Sequence, residues 1–185
     1  KNSAAIVASI GKDKPLRCNS DMGYILVPPG QKLVEVKPVE YPDESDKGPY
    51  PVPDGITIEG WPKSYTTDRG AKTPPPLDDI QRDKAGEGGD RHAVVVDPGK
   101  MKLYEFYQLK KTDASWQCAC AAIFDLKSNN LRPDGCTSTD AAGLPLFPAI
   151  ISYDDLQKGM VNTAMRVTIK NTHTAYVTPA RPFAS

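Results

Sequence analysis

The feature that most constrains this chain is the crowding of prolines between residues 38 and 76. Nine of the 18 prolines in the 185-residue sequence lie in this stretch. Each proline removes a backbone N–H donor and fixes φ, so the stretch cannot form a helix or a central strand. We therefore expect a long irregular segment on the surface, with 56–58 as its one convincing strand. Long irregular segments in compact domains are usually binding elements or linkers.

Most of the remaining sequence has the pattern of short strands. We predict strands at 5–10, 24–27, 32–37, 91–96, 101–109, 115–126, 164–169 and 174–178. The three strands between 91 and 126 have short connections and predict an antiparallel meander. Short helices are expected at 77–84 and after Ser152, with Gly159 as the natural stop. The pattern favours an all-β fold, an antiparallel sandwich or barrel with two short helices.

Length and charge limit the domain count and the classes of partner. We expect one β-rich domain over 1–185, with a Pro/Gly-rich segment at 38–89 and a strand core at 90–185. Lys+Arg and Asp+Glu number 23 each, so the formal net charge is zero. A neutral chain lacks the basic surface of nucleic-acid binders, and no run of 18 apolar residues could span a membrane. We expect neither nucleic acid nor a membrane span.

The cysteines predict a secreted protein with two disulfides. The sequence contains Cys18, Cys118, Cys120 and Cys136. An even count suits an oxidising compartment, and a first residue other than Met fits a removed leader or a cut chain. Cys118 and Cys120 should share one face of a strand and bond different partners, one Cys136 and the other Cys18. A metal site would need a second cysteine pair or a histidine pair, so we expect no metal and no cofactor.

The loop 127–140 is the densest group of polar side chains that bind ligands. Its candidate ligand-binding residues are Asn129, Asn130, Arg132 and Ser138. Asn, Arg and Asp side chains hydrogen-bond the vicinal hydroxyls of a sugar, and loops on a rigid scaffold commonly carry binding residues. The same residue types also form turns, so the loop could have only a structural role.

Aromatic residues in the proline-rich segment offer a second candidate surface. Trp61 and Tyr65 could form a platform on which sugar rings stack. The alternative is that they anchor the segment to the core.

An enzyme would need a proton carrier, and His92 is the best candidate because imidazole titrates near neutrality. Its acidic partners would come from Asp125, Asp134 and Asp140, since a glycosidase needs paired carboxylates. A single histidine on an apolar strand is also a common structural residue. The motifs of serine hydrolases, zinc peptidases and P-loop proteins do not occur in the sequence.

Several short motifs resemble a known group of proteins. They are Asp90-Arg91-His92, Leu103-Tyr104-Glu105, Leu131-Arg132-Pro133-Asp134-Gly135, Asp140-Ala141-Ala142-Gly143-Leu144-Pro145, Ala175-Tyr176-Val177 and Pro179-Ala180-Arg181. With these motifs the chain resembles an uncharacterised family of secreted bacterial β-rich proteins. The resemblance implies an extracytoplasmic location and no particular activity. It also implies that the family's chains continue past the last motif, so that a C-terminal fragment of the same precursor would be a partner.

Three functional hypotheses follow from these observations. The first is a secreted module that binds a glycan or polysaccharide through the 127–140 loop. The second is a polysaccharide-acting hydrolase or lyase that uses His92 and a loop carboxylate. The third is a structural envelope or matrix protein without a catalytic site.

Overall fold

The structure is a computed structural model and describes residues 3–14 and 22–167. Its helices are α1 (Ser3–Ile10), α2 (Leu77–Gln81) and α3 (Tyr153–Lys158), with 3-10 turns at Pro42–Glu44 and Phe147–Ala149 and a π-helical turn at Ser64–Asp68. Its strands are β1 (Ile25–Leu26), β2 (Val36–Pro38), β3 (Ala93–Asp97), β4 (Lys102–Tyr107), β5 (Lys110–Lys111), β6 (Trp116–Cys118) and β7 (Cys120–Asp125).

The strands form two mixed sheets. The first has the order β1-β3-β4-β7, in which β1 is parallel to β3 and the other pairs are antiparallel. The second has the order β2-β6-β5, in which β2 is parallel to β6. Neither sheet closes on itself, and α2 and the helical turns at Pro42–Glu44 and Ser64–Asp68 separate β2 from β3 along the chain. The prediction of an all-β sandwich or barrel is therefore wrong, and the described part of the chain is α/β in character.

Two features of the chain explain this correction. Residues 5–10, predicted as a strand, lie in α1, because a short apolar run has no periodicity that separates strand from helix and its alanines favour helix. The parallel pairs are possible because long stretches of chain, which contain other elements, separate β1 from β3 and β2 from β6, whereas a hairpin turn can join only antiparallel strands. Residues 56–58 and 164–167 are in no strand, and residues 174–178 lie outside the described part.

The central strands confirm the local predictions. β3, β4 and β7 form the predicted antiparallel meander, with Val95 opposite Tyr104 and Tyr104 opposite Ile123. The predicted strand 115–126 is divided at Ala119 into β6 and β7, which belong to different sheets. Helix α3 begins after the capping box of Ser152 and ends at Gly159, whose φ of 63° is left-handed.

The proline-rich segment fills one face of the first sheet instead of running over the surface. Its buried side chains are those of Tyr50, Val52, Ile56 and Ile58. The Tyr50 ring packs edge-on against Phe106, with ring centroids 5.2 Å apart, and against Tyr104 at 6.4 Å. Such aromatic pairs stabilise a core beyond their buried area. The segment is therefore part of the core even though its backbone is irregular.

The other face of the first sheet packs against the chain that follows β7. Its apolar residues include Val94, Val96, Leu103, Ala122 and Phe124, with Phe147 packed against them.

In residues 3–14 and 22–167, no helix has both the length and the apolar character needed to cross a bilayer.

The described cysteines are free thiols, so the predicted disulfide between Cys136 and the Cys118–Cys120 pair is wrong. Cys118 and Cys120 lie on either side of the bend at Ala119, and both are buried. Burial raises the pKa of Cys118 to about 12, as expected for a thiol in an apolar core. Polar contacts take the place of a disulfide in holding the loop of Cys136, as described below. Cys18 lies outside the described residues.

Candidate functional site

Arg132 holds the 127–140 loop to the proline-rich segment. Its side chain is only 5% exposed and forms an ion pair with the carboxylate of Asp46. The guanidinium also donates hydrogen bonds to the carbonyl oxygens of Glu44 and Thr137, the latter at 2.7 Å. These contacts occupy the group that was expected to bind ligand, so Arg132 is an internal clamp.

Ser138 and Asp140 are also engaged within the loop. Ser138 Oγ donates to the carbonyl of Leu144 at 2.8 Å and accepts from the backbone N–H of Asp140 at 2.9 Å. The Asp140 carboxylate pairs with Arg166 and accepts the N–H of Ala142. Both side chains therefore stabilise the turn around residue 140.

The other predicted polar residues do not converge on one place. Asn129, Asn130 and Asp134 are exposed. Asp125 ends β7 and pairs with Lys102, which lies opposite Asp97 at the end of β3. His92 comes directly before the first residue of β3. Because five residues of strand span about 16 Å, Asp125 is remote from His92. The structure does not assemble the predicted pair of catalytic carboxylates around His92.

His92 is buried, and each of its ring nitrogens faces an acceptor. Nδ1 lies 2.7 Å from Oε2 of Glu59, and Nε2 lies 3.0 Å from the carbonyl oxygen of Thr139. The backbone N–H of Glu59 donates to the carbonyl of His92 at 2.8 Å, which joins the two residues through the main chain as well. The carboxylate partner of His92 is thus Glu59, which the sequence reasoning missed.

The electrostatics of this pair favour an imidazolium beside a carboxylate. Burial lowers the pKa of His92, but the hydrogen bond and the negative charge of Glu59 raise it above the ordinary value. Burial raises the pKa of Glu59, but the hydrogen bond and the positive charge of His92 bring it below the ordinary value. With an acceptor at each nitrogen, the ring has no free lone pair, so His92 is poorly arranged as a general base.

A polar cleft of about 210 Å³ opens beside Glu59. Its walls are formed by Glu59, Gly60, Ser64, Tyr65, Arg69, Ile80, Glu87, Gly88, Gly89, Asp90 and Arg91. Within it, the Tyr65 hydroxyl donates to Glu87 at 3.0 Å, and Arg69 pairs with the same carboxylate. The guanidinium of Arg69 lies 4.4 Å from the centre of the Tyr65 ring. The cleft therefore brings acidic, basic and phenolic groups together.

Arg91 lines the polar cleft with a largely buried side chain. Its side chain is 9% exposed, and Nη2 donates to the carbonyl oxygens of Ile80 at 2.7 Å and Leu109 at 3.0 Å. Nη1 lies 3.6 Å from the carboxylate of Asp83. Within residues 3–14 and 22–167, Arg91 Nε is the buried side-chain polar atom that has no hydrogen-bond partner. Such a donor is costly unless an acceptor reaches it.

The two predicted aromatic residues have different environments. Trp61 packs against the core, and its indole N–H donates to the carbonyl of Pro75 at 2.9 Å. It anchors the proline-rich segment, which was the alternative considered from the sequence. Tyr65 lies in the wall of the polar cleft and stays a candidate for ligand contact.

A larger cavity of about 380 Å³ runs along β2 and the turn that follows it. Its wall includes Asp46, whose carboxylate is already bonded to Arg132 and to the backbone N–H of Ile123. The polar cleft has the better set of groups for binding, because more charged side chains line it and those of Arg69 and Glu87 are 51% and 39% exposed although they pair with each other.

Three side chains at the edge of the polar cleft have the donor atoms of a metal site. They are Glu59, Asp90 and His92, and their ligand atoms all lie within 4.8 Å of one another. Glu59 is 33 residues from His92 along the chain, so the sequence does not indicate that the two are partners. The one local sign that Glu59 lies near the core is its position directly after the buried Ile58.

No protein-family model matches the chain, and neither a curated protein nor a solved structure does. The resemblance to secreted bacterial proteins stays a prediction, and the function is argued from the site itself.

Proposed function

We propose that the chain is a carbohydrate-binding module whose binding site is the polar cleft and not the 127–140 loop. The observation that carries this proposal is the convergence of Glu87, Arg69, Asp90, Arg91 and Tyr65 on one small cleft. Carboxylates and guanidinium groups are the side chains that bond the adjacent hydroxyls of a sugar, one as acceptor and the other as donor.

The unpartnered Nε of Arg91 supports a ligand with an acceptor oxygen. This N–H is buried in a residue that forms the cleft wall. Because Nε has almost no accessible surface, a hydroxyl or ring oxygen of a bound sugar would meet it only after a small turn of the Arg91 side chain, and this contact would remove the cost of the unpartnered donor, about 1–3 kcal/mol.

The size of the cleft favours a terminal sugar residue over the middle of a chain. At about 210 Å³ it is smaller than the usual pocket for a drug-sized ligand. Trp61 anchors the proline-rich segment, and among the described residues Tyr65 is the one aromatic side chain in the wall of the cleft, so no row of rings lines it for a polysaccharide. We therefore propose recognition of one sugar residue at the end of a glycan.

The hydrolase or lyase is the second candidate, and the pairing of His92 with Glu59 beside the cleft favours it. In this hypothesis the imidazolium would pass its Nδ1 proton to the glycan by way of Glu59, the carboxylate that it contacts in the wall of the cleft. A carbohydrate ligand fits the extracytoplasmic location that we propose on the sequence resemblance. The free thiols of the described cysteines give that location no support.

The test is a glycan array probed with the wild-type chain, Glu87→Gln and Asn130→Ala. We expect binding to glycans that share one terminal sugar, a loss of about tenfold or more in Glu87→Gln, and no change in Asn130→Ala. Asn130 is the matched control because it is exposed in the loop predicted from the sequence. Loss of binding in Asn130→Ala alone, or no binding by the wild type, would overturn the proposal. Release of sugar from a bound glycan that depends on His92 would establish the hydrolase instead.

A further inference from the structure

We propose that Glu59, Asp90 and His92 bind one divalent first-row transition-metal ion at the edge of the polar cleft. The inference goes beyond carbohydrate binding and does not require it. It rests on the positions of three donor atoms and on the groups that hold them.

The spacing of the donor atoms suits a single ion. Metal bonds to imidazole nitrogen and carboxylate oxygen are about 2.0–2.2 Å long, so two ligands of a tetrahedral ion lie about 3.4 Å apart. The three donor atoms lie within 4.8 Å of one another, and Nδ1 of His92 lies 2.7 Å from Oε2 of Glu59. Movements of about 1 Å in exposed or half-buried side chains would give the coordination distances.

The hydrogen-bond partner of His92 orients its ring as in known metal sites. A histidine that binds metal through one ring nitrogen usually donates the other N–H to a carbonyl or carboxylate. Nε2 of His92 lies 3.0 Å from the carbonyl of Thr139, which leaves Nδ1 as the nitrogen directed to Glu59. When the proton on Nδ1 leaves, the N–H on Nε2 still donates to this carbonyl, so the tautomer that remains has its lone pair on Nδ1.

The backbone holds all three ligands in place. Glu59 and His92 are joined by the hydrogen bond from the N–H of Glu59 to the carbonyl of His92. The carbonyl of Asp90 accepts the N–H of Gln108 at 2.8 Å, just beyond the end of β4. A site on such a framework is more precise than one on a free loop.

The binding step balances in charge and protons. The ion takes the place of the proton between Nδ1 and Oε2, and this proton goes to solvent. Two carboxylates then offset the two positive charges of the ion. Arg166 and Arg91 oppose binding, but Arg166 is paired with Asp140 and Arg91 lies near Asp83. We therefore expect micromolar and not nanomolar affinity.

The donor set also limits the kind of ion. One imidazole with two carboxylates suits Mn²⁺, Fe²⁺ or Zn²⁺, whereas Ca²⁺ and Mg²⁺ prefer oxygen ligands alone. Three protein ligands leave further coordination positions for water or for a ligand hydroxyl. The free thiols elsewhere in the chain would compete for Zn²⁺, so Mn²⁺ is the better probe.

The experiment titrates the full chain with Mn²⁺ alone, in the absence of saccharide and at constant pH. Electron paramagnetic resonance counts the bound ions, and paramagnetic broadening of amide signals locates them. We expect one Mn²⁺ per chain and broadening centred on Glu59, Asp90 and His92. Asp90→Asn and Glu59→Gln should each weaken binding about tenfold or more.

The control is Glu87→Gln, which removes a carboxylate of the same cleft that lies outside the proposed ligand set. Its Mn²⁺ affinity should stay that of the wild type. Asp90 is exposed, so Asp90→Asn is expected to fold normally. Absence of Mn²⁺ binding, broadening centred elsewhere, or equal binding by Asp90→Asn and the wild type would overturn the inference. The titration contains no saccharide, so a failure to bind Mn²⁺ would not count against the proposed carbohydrate binding.

Discussion

Glu105 is a carboxyl group with no exposed surface, located in the middle of β4. It accepts hydrogen bonds from the backbone N–H groups of Leu146 and Phe147, both at 2.8 Å, and from the hydroxyl of Thr139 at 3.1 Å. It thus holds the chain after residue 138 to one face of the sheet. Burial raises the pKa of Glu105, and the hydrogen bonds lower it by less, so the net shift is upward.

This shift predicts a specific pH dependence of stability. Because the pKa is higher in the folded than in the unfolded state, the stability that Glu105 contributes is complete below an unfolded pKa of about 4.3. It declines as the pH rises through the folded value. Glu105→Gln should therefore cost about 1–3 kcal/mol near pH 4 and less near pH 7, measured by urea unfolding.

The control for this prediction is Glu40→Gln, at an exposed position. Its stability difference from the wild type should stay small at both pH values. A cost of Glu105→Gln that grows as the pH rises would show that the hydrogen bonds outweigh burial and hold the folded pKa below its usual range.

At the scale of elements, the 127–140 loop is a clamp between the first sheet and the proline-rich segment. Thr137 donates two hydrogen bonds to the carboxylate of Glu44, beside the contacts of Arg132. Of the loop residues predicted to bind a ligand or to act in catalysis, Arg132, Ser138 and Asp140 have protein groups as partners. Polar residues in a loop therefore show that it can form hydrogen bonds, but only the tertiary structure shows whether the partners are a ligand or other parts of the protein.

Replacement of the clamp should lower stability without a direct effect on the polar cleft. Arg132→Lys retains the charge but loses the planar set of donors that contacts Asp46 and two carbonyl oxygens. We expect a loss of about 2–3 kcal/mol in the free energy of unfolding, measured by urea denaturation. Lys127→Ala, in the exposed part of the loop, should change it by less than about 0.5 kcal/mol. Unchanged stability with lost glycan binding would instead identify Arg132 as a ligand contact.

At the scale of the molecule, the proline-rich segment and the sheets share one core. Tyr50, Ile56 and Ile58 of the segment pack in the same cluster as Phe106 of β4 and Trp116 of β6. A segment that contributes such residues should unfold together with the strands, because neither side can bury its apolar surface alone.

The two tryptophans allow a direct test of this cooperativity. Trp61 reports on the proline-rich segment, and Trp116 reports on β6. In the variants Trp116→Phe and Trp61→Phe, each with one remaining tryptophan, we expect the fluorescence transition in urea to coincide with the loss of circular dichroism. A Trp61 transition at clearly lower urea than the circular dichroism change would show that the segment unfolds independently.

The parts that could be predicted from the sequence are those that neighbouring residues decide. The hairpin of β3 and β4 follows from its turn residues, and α3 begins and ends where Ser152 and Gly159 satisfy its termini. The absence of regular structure from most of 38–76 follows from the missing N–H donors of proline. Each of these features depends on residues only a few positions apart.

Tertiary structure alone decided the sheet order and the composition of the site. Glu59 meets His92 across 33 residues, and Arg132 meets Asp46 across 86 residues. No periodicity or motif connects such pairs, because their approach depends on the path of an irregular segment whose direction is set by packing in the core. The sequence by itself therefore determined the local elements and excluded regular structure from most of the proline-rich segment. Core packing decided which polar groups became clamps and which lie around the cleft.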